Sequence, residues 1–567
     1  MNERHEKKPA PHRVCRRLLA LVALILLLSL GVNVYFLISL ARVSLGSLKS
    51  AEKVAGLDFS LPENRLLLDD ARENLERYRT LRRFPLDNAV APALQFNPLP
   101  DNAPTAPSAF VPAAATDKKT VLFPSDPQQL AFLTVAELGE LIRSRQVSSL
   151  QLTRLYLERL KKYGPKLECV VTLTEELALS QARRADEEIG AGRYRGPLHG
   201  IPWGAKDLLS TKGIRTTWGS APYQNQVPSE DATVVRKLEE AGAVLVAKLT
   251  LGELAWGDVW FGGMTRNPWN LEQGSSGSSA GPASATAAGL VAFAIGSETW
   301  GSIVSPSTRC GVTGLRPTFG RVSRSGAMTL SWSMDKLGPI CRSVEDCALV
   351  LQVICGSDGK DLTVLNRPFQ PSPGSIDLRT LRIGYLQKDF NHHYDNRKND
   401  RDTLATLRRL GVVLIPLELP QFPLDAMSLI LNVEAAAAFQ ELTLSHRDDL
   451  MKRQVRDAWP NVFRHSQLVP AVEYLQANRI RTLLMRRMAE EMKKVDLFLA
   501  PALEGDTLLL TNLTGHPALV LPNGRHGKKE WGSITFIGNL FDEERMLAAA
   551  RAYQEQTSFH RQHPSLK

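Results

Sequence analysis

One stretch of small residues limits the fold of this chain more than any other feature. Residues 274–281 read GSSGSSAG, which by itself is the composition of a flexible spacer. The chain then continues as PASATAAGLVAFAIGSETWGS, in which residues 281–289 predict a closely packed helix, LVAFAIG predicts a buried strand, and SETWGS predicts a tight turn ending at Ser302. A spacer would not lead into such a unit, so we expect this backbone to fit tightly around a reactive group.

The rest of the body predicts an α/β fold. The stretch LTVAELGELIRSRQVSSLQLTRLYLERLKKYG places apolar residues at helical spacing, and short apolar strands then occur between helices, among them GIPWGAKDLL, AVLVAKL, LRIGYL and VDLFLAPAL. This alternation is typical of a large mixed β-sheet with helices on both faces. With 567 residues, the chain is long enough for one large enzyme domain and additional segments.

The N-terminal region predicts a membrane anchor. Residues 18–41 carry no charged side chain, and at ~1.5 Å per residue a helix of this length crosses a ~30 Å hydrocarbon core. The basic tail at 1–17 has six Lys and Arg residues, whereas only three follow the apolar run over a comparable distance. The positive-inside rule therefore predicts a single-pass membrane protein with a cytoplasmic N-terminus and an extracytoplasmic catalytic domain. A cleaved signal peptide is the alternative, which the long apolar run and the poor cleavage site disfavour.

Two segments should connect this anchor to the body. Residues 42–84 predict a helical stalk, in which Ser60 and Glu63 fit a capping box. Residues 85–127 are rich in Pro and Ala and predict an extended linker, or a strap laid over the domain. The catalytic domain then takes residues 128–567.

Several motifs of the body, taken together, resemble the amidase signature family. NPWNL, GSSAG, AAGLVAFAIGSETWGSI and CGVTGLRPTFGRVS stand in the family's order and spacing, and GPLHGIPWGAKDLLSTKGIRTTWGS resembles its lysine-bearing segment. TGHPALVLP and FIGNLFDEERMLAAARAYQ resemble its C-terminal end, so the likeness covers about residues 128–563. It extends to membrane-anchored amidases and to the glutamine-using component of glutamyl-tRNA(Gln) amidotransferase. The resemblance implies the amidase signature fold and the hydrolysis of linear amides other than peptide bonds.

The resemblance also implies a Ser-Ser-Lys triad. The nucleophile corresponds to Ser302, at the end of the turn after the buried strand. The bridging serine corresponds to Ser278, which in the family follows a cis peptide bond, and the general base corresponds to Lys206. The backbone N–H groups of four residues would form the oxyanion hole: Thr299, Trp300, Gly301 and Ser302.

The chemistry of these residues agrees with that assignment. A serine hydroxyl is a weak nucleophile until a base takes its proton, and attack on an amide carbonyl leads to an acyl-enzyme intermediate. A lysine can act as the base only when it is neutral. Lys206 follows the apolar run IPWGA, so burial should lower its pKa and favour the neutral amine.

Two departures from the family affect the expected substrate. Trp300 precedes the Gly-Ser of the turn where the family often has glycine, and Val304 stands where many relatives carry arginine. Trp300 should narrow the space for the leaving group. Val304 cannot bind a substrate carboxylate as an arginine would. We therefore expect uncharged, apolar amides to be preferred over glutamine. The candidate substrate-pocket residues, for most of which core packing is the alternative, are Trp256, Trp260, Phe261, Met264 and Ser279.

Other functions stay open on the sequence. GSSAG also fits the nucleophile elbow of α/β hydrolases with Ser279 at its centre, and His199 and His516 are available as partners. That elbow needs a strand just before it, whereas TRNPWNLEQ is interpreted as a loop. The further alternatives are a non-catalytic binding protein on an amidase scaffold and a glutamine-using amidotransferase subunit.

Composition limits the partners. The net charge of +10 is scattered over most of the chain, which indicates no nucleic-acid partner. The six cysteines form no CxxC pair, and the pair His392–His393 lies in a charged loop, so we expect no disulfide framework, no metal and no cofactor. The expected partners are a small-molecule amide substrate and the lipid bilayer, and a homodimer is left open.

Overall fold

The structure is a computed structural model, and it separates the chain into two compact units, residues 1–87 and 88–567. Each unit is described by itself. The residues that the structure describes are 19–24, 26, 29, 43–81, 83, 87–88, 90, 94–99, 121–371, 376–527 and 529–566.

The first unit contains two consecutive helices, α1 (Leu45–Ala55) and α2 (Leu61–Leu81). Helix α2 begins directly after Ser60, whose backbone N–H donates to Glu63 Oε2 at 2.6 Å. This is one half of the capping box that the sequence predicts at this position. The residues assigned to a stalk, 42–84, are therefore helical over most of their described length.

The predicted membrane anchor lies mainly outside the described residues. Residues 19–24 are helical, but residue 18, residues 25, 27 and 28, and residues 30–41 are outside the described part of the chain. In the part that is described, no helix has the length and hydropathy of a membrane span. The anchor at 18–41 accordingly stays a prediction.

The second unit combines many helices with one large sheet. Its helices are α3 (Val135–Arg143), α4 (Ser149–Leu167), α5 (Glu175–Gly190), α6 (Thr233–Glu240), α7 (Ala280–Ala287), α8 (Val304–Cys310), α9 (Val344–Ile354), α10 (Gln387–Asn391), α11 (Arg397–Arg409), α12 (Leu424–Met427), α13 (Leu429–Ala438), α14 (Gln440–Leu444), α15 (Trp459–Ser466), α16 (Ala471–Met492), α17 (Thr507–Thr514) and α18 (Glu543–Gln554). Its strands are β1 (Val170–Leu173), β2 (Pro202–Lys206), β3 (Val244–Leu249), β4 (Val259–Trp260), β5 (Gly263–Met264), β6 (Arg266–Asn267), β7 (Asn270–Gly274), β8 (Phe293–Glu298), β9 (Thr313–Arg316), β10 (Lys336–Cys341), β11 (Ile383–Tyr385), β12 (Leu414–Pro416), β13 (Leu497–Pro501), β14 (Ala518–Arg525) and β15 (Trp531–Gly538).

Eleven of these strands form one mixed sheet in the order β1-β3-β2-β8-β10-β9-β14-β15-β13-β11-β12. Strand β2 pairs in parallel with β3 and β8, while β10 pairs antiparallel with β8 and β9. Because β2 and β8 are parallel neighbours, their carboxyl ends meet at the same edge of the sheet. The large mixed sheet of an α/β fold is thus confirmed, and it brings Lys206, the last residue of β2, close to the end of β8.

The segment of small residues forms the predicted helix and strand. Every residue of α7 is buried, and a Cβ atom at Gly281 would lie 2.5 Å from Thr250 N, so only glycine fits this close approach to the chain after β3. Strand β8 is also fully buried and ends one residue before the turn. The interpretation of TRNPWNLEQ as a loop is wrong, because β6 and β7 pair there as a two-stranded antiparallel sheet.

Candidate active site

Lys206 lies at the centre of a buried cluster of hydroxyl groups. Its side chain is fully buried, and Nζ lies 2.8 Å from Ser278 Oγ, 2.8 Å from Ser297 Oγ and 3.0 Å from Ser279 Oγ. Two of these serines precede α7 and the third is in β8, so the helix and the strand together fix the amine. Burial lowers the pKa of Lys206 well below its usual value, although the charges of Asp335 and Glu298 act in the opposite direction. The environment therefore favours a neutral amine that can accept a proton.

The backbone before Ser278 explains the glycines of GSSGSSAG. The peptide bond between Gly277 and Ser278 is cis. A Cβ atom at Gly277 would lie 1.8 Å from the carbonyl oxygen of Gly257, which no side chain could tolerate. The stretch is therefore a close backbone contact that places Ser278 at the lysine, and it is not a spacer.

Ser302 stands on the turn after β8. It is 8% exposed, and among the residues that the structure describes its Oγ has no hydrogen-bond partner. Gly301 before it has φ +83°, a left-handed conformation that glycine adopts at little cost. Within the described part of the chain, none of the backbone N–H groups of residues 299–302 donates to an acceptor. Buried or partly buried N–H groups are nearly always paired, so four consecutive free donors beside a serine indicate a site for a substrate oxygen.

Glu298 stabilises this turn through hydrogen bonds and an ion pair, and it was missed by the sequence analysis. Its buried carboxylate accepts hydrogen bonds from the backbone N–H groups of Ile303 at 2.8 Å and Val304 at 3.0 Å, at the start of α8. It also forms a fully buried ion pair with Arg316, with Oε1 2.7 Å from Nη1. Burial alone would raise the pKa of Glu298, but Arg316 and the hydrogen bonds lower it to about 2, so the carboxylate stays ionised.

Asp335, the residue before β10, supports the same turn and was also missed. Its Oδ1 accepts a hydrogen bond from the Thr299 hydroxyl at 2.6 Å, and its Oδ2 accepts from the backbone N–H groups of Leu330 and Ser331 at 2.8 and 3.0 Å. Burial raises the pKa of Asp335 above its usual value. Thr299 is thereby fixed at one end of the row of free N–H groups.

Ser279 is not exposed as a nucleophile elbow requires. It is fully buried, its hydroxyl donates to Ser297 O at 3.0 Å, and it accepts from Ser297 N at 3.2 Å. Its hydroxyl contacts the amine of Lys206, and its role in a substrate pocket stays a prediction. The hairpin before it belongs to a separate two-stranded sheet, so the strand that an elbow requires in the main sheet is missing here.

A cavity of about 520 Å³ adjoins this cluster. Ser297 and Thr299 line it on the side of the lysine, and its wall also includes four charged residues, Arg324, Asp335, Lys360 and Asp361. Arg324 already pairs with Asp361, with Nε 3.0 Å from Oδ2. The cavity is therefore more polar than the sequence analysis expected, although much of its charge is internally neutralised.

The predicted aromatic pocket lies elsewhere. Trp256 packs edge-to-face on Trp459 with ring centroids 4.5 Å apart, and Trp260 packs in the same manner on Phe261 at 4.8 Å. Met264 is part of β5, where its backbone N–H donates to Glu168. None of these four candidates lines the 520 Å³ cavity, so their role as a substrate pocket stays a prediction.

No group of His, Cys, Asp and Glu residues suited to a metal ion occurs among the described residues. His392 pairs with Glu504 at 3.3 Å in an exposed position. His199 is buried beside Glu188 at 3.2 Å, and the hydroxyl of Thr514 lies 2.8 Å from His516. His392, His199 and His516 thus each contact another side chain.

Comparison with known proteins decides the family. The profile of the family described as Amidase matches residues 151–521, which include every residue of the cluster around the lysine. This chain belongs to the amidase family. As an amidase signature protein it is an enzyme of a family that acts on amides.

Among similar curated proteins, the A subunit of glutamyl-tRNA(Gln) amidotransferase from Carboxydothermus hydrogenoformans is 34% identical over 485 residues, which cover 77% of this amidase and 100% of that protein. Among solved structures, peptide amidase from Stenotrophomonas maltophilia matches with a TM-score of 0.69 and 30% identity, covering 77% of this chain and 99% of that chain. The corresponding amidotransferase protein from Thermotoga maritima matches with a TM-score of 0.65 and 26% identity, covering 78% and 99%.

Proposed function

We propose that this amidase hydrolyses a carboxylic amide through Ser302, Ser278 and Lys206, by way of an acyl-enzyme. The observation that carries the proposal is the buried contact of Lys206 Nζ with Ser278 Oγ at 2.8 Å, beside a turn with free N–H groups. A base, a relay and a row of oxyanion donors are the parts that acyl transfer to serine requires.

The reaction would proceed in two balanced steps. Ser302 Oγ attacks the amide carbon while its proton passes through Ser278 to the neutral amine of Lys206. The tetrahedral intermediate then breaks its C–N bond, and the same proton goes to the departing nitrogen. Water attacks the resulting ester by the same relay and releases the carboxylic acid. Contacts of this kind are often long without substrate, which accounts for a Ser302 hydroxyl that has no partner among the described residues.

The backbone of the turn would stabilise the developing oxyanion. The N–H groups of residues 299–302 are held from two sides, by Glu298 at the start of α8 and by Asp335 through Thr299. Because these supports are buried, the donors do not need to reorganise as negative charge forms. Removal of one such donor typically costs ~3–4 kcal/mol of transition-state stabilisation.

A second candidate function is that of the glutamine-using component of an amidotransferase. It is favoured by similar curated proteins that are amidotransferase components, and by the charged residues of the cavity wall, Arg324, Asp335, Lys360 and Asp361. Both functions share the acyl-enzyme step and differ in the amide used and in the fate of the ammonia. Ammonia release from glutamine, compared with release from decanamide at equal concentration, separates them. Decanamide as the better substrate favours the first candidate, and glutamine as the better substrate favours the second.

Attachment to a lipid bilayer through residues 18–41 is a separate proposal, supported by the uncharged length of this segment and its basic flank. The same charge asymmetry favours an extracytoplasmic catalytic domain. Retention in the membrane pellet after alkaline carbonate extraction tests the anchor, with a chain lacking residues 1–42 as the control. A reporter fused after Lys567 tests the side, and cytoplasmic reporter activity would contradict the proposed orientation.

Substitution of Ser302 tests the proposed chemistry. We expect Ser302→Ala to lose hydrolysis of an aryl amide, while Ser305→Ala keeps it. Ser305 lies one helical turn away, and its hydroxyl contacts Ser276 Oγ at 2.7 Å, so it matches the substitution without removing the nucleophile. Equal activity of the two variants would contradict the proposal, and absence of turnover by the unaltered chain would favour a non-catalytic binding protein.

A further inference from the structure

A short segment that precedes the amidase match is fixed to the body beside the cavity. Asn88 pairs with both backbone groups of Thr329, since Thr329 N donates to its Oδ1 at 2.6 Å and its Nδ2 donates to Thr329 O at 2.9 Å. These two hydrogen bonds fix Asn88 against Thr329. Thr329 is itself part of the wall of the 520 Å³ cavity.

The same segment is held again a few residues later. The guanidinium of Arg481 lies 3.6 Å from the centroid of the Phe96 ring, and Phe319 meets that ring edge-on at 4.9 Å. Arg481 is almost fully buried and donates to Leu513 O at 2.6 Å, so it is a rigid support. Pro98 is buried next to Gly515, where an added Cβ atom would lie 2.9 Å from Pro98 Cβ.

Between these two attachments, Leu94 and Gln95 line the cavity that Ser297 and Thr299 line from the other side. The residues that contact Lys206 and hold the oxyanion turn therefore share one space with the N-terminal segment. The family profile begins only at residue 151. This part of the wall thus comes from outside the matched amidase core.

We propose that Leu94 and Gln95 are specificity-determining residues, which close one side of the substrate cavity and limit the acyl group that it accepts. The kinetic consequence rests on the proposed amide hydrolysis, whereas binding of an acyl amide in the cavity does not require turnover. Leu94 offers an apolar side chain and Gln95 offers one donor and one acceptor at the wall. A larger residue at position 94 should therefore obstruct long acyl chains more than short ones.

The kinetic test compares Leu94→Trp with Val90→Trp in the full chain. Leu94 is 71% exposed and Val90 is 55% exposed. Val90 belongs to the same segment and does not line the cavity, so it controls for an indole added at a position of comparable exposure. We expect Leu94→Trp to lower the ratio of kcat/KM for decanamide to kcat/KM for acetamide by about tenfold, as a steric mismatch of this size does in other pockets. Val90→Trp should leave that ratio unchanged, and an equal ratio in both variants overturns the proposal.

The binding test measures affinity in the absence of turnover. The dissociation constant of a dansyl-tagged decanamide is measured by fluorescence anisotropy in chains that carry Ser302→Ala. We expect Leu94→Trp to weaken binding, and Phe96→Ala to weaken it by about threefold, because the segment loses its cation–π and ring contacts with the body. Equal dissociation constants, or no binding by Ser302→Ala alone, overturn the proposed wall. If the chain hydrolyses amides but Leu94→Trp has no effect, only this inference is overturned. If the chain binds the amide but does not hydrolyse it, only the proposed function is contradicted.

Discussion

Lys206 Nζ lies 2.8 Å from Ser278 Oγ, although 72 residues separate the two along the chain, and both side chains are buried. The contact forms because the parallel strands β2 and β8 end at the same edge of the sheet and α7 packs against them. Two of the residues assigned to the relay are thereby fixed by the core of the protein and not by a mobile loop. We therefore expect proton transfer to require both residues, so that loss of either one removes it.

The first prediction concerns that dependence. We expect Lys206→Met and Ser278→Ala each to lower kcat/KM for an aryl amide by at least ~10³-fold, since base and relay act as one unit. The double variant should be no slower than the slower single variant. Lys212→Met is the control, because this lysine is exposed and lies near the same strand. Effects that multiply in the double variant would show that the two residues act separately.

The second prediction concerns pH. Burial lowers the pKa of Lys206 well below its usual value, so the free amine is present at a pH at which an exposed lysine is charged. As pH falls through this lowered pKa, the amine gains a proton and can no longer act as the base. The profile of kcat/KM should therefore fall on its acidic side and be level in the alkaline range below the usual lysine pKa of ~10.4. A rate that still rises tenfold per pH unit at pH 9–10 would contradict a neutral Lys206.

Sequence reasoning found the parts of the site that lie in one continuous stretch. The strand and turn ending at Ser302 follow from local pattern, and the family resemblance supplied Lys206 and Ser278. Glu298 could have been noticed as an acidic residue at the end of a buried apolar strand, because such a charge requires a partner. Its partner Arg316 could not be identified, since pairing depends on which strands are neighbours in the sheet.

The lining of the 520 Å³ cavity was the least predictable part. The aromatic residues around Trp256 are close in sequence to the motifs, but they pack on other rings such as Trp459. Leu94 and Gln95 line the cavity from a segment whose composition predicts only a linker or a strap. Local periodicity carries no information about which distant segment closes a cavity, so both results required the three-dimensional structure.

The third prediction concerns the buried pair under the turn. Glu298→Gln leaves the guanidinium of Arg316 buried without a counter-charge, and breaking one partner of such a pair costs about 3–5 kcal/mol in the free energy of unfolding. Asp402→Asn is the matched control, because Asp402 pairs with Lys398 at 2.9 Å on an exposed face and should cost less than ~1 kcal/mol. Urea denaturation measures both values. Equal stability of the two variants would mean that Glu298 does not hold the turn.

The fourth prediction concerns the leaving group. Trp300 is 43% exposed and lies two residues before the nucleophile, so we expect its indole to narrow access to the turn. We expect Trp300→Ala to raise kcat/KM for an anilide relative to the primary amide of the same acid by about tenfold, the usual effect of steric fit on this scale. Leu271→Ala, at an exposed residue of β7, is the control. A ratio that does not change would show that the indole does not border the leaving-group side.

The site of covalent labelling tests the central claim most directly. A fluorophosphonate reacts with an activated serine, and trypsin would release residues 267–309 as one peptide that contains Ser278, Ser279 and Ser302. Fragment ions from that peptide then assign the adduct to one of its nine serines. We predict an adduct on Ser302 in the unaltered chain and none on this peptide in the Ser302→Ala variant. An adduct on Ser279, or undiminished labelling after Ser302→Ala, would contradict it.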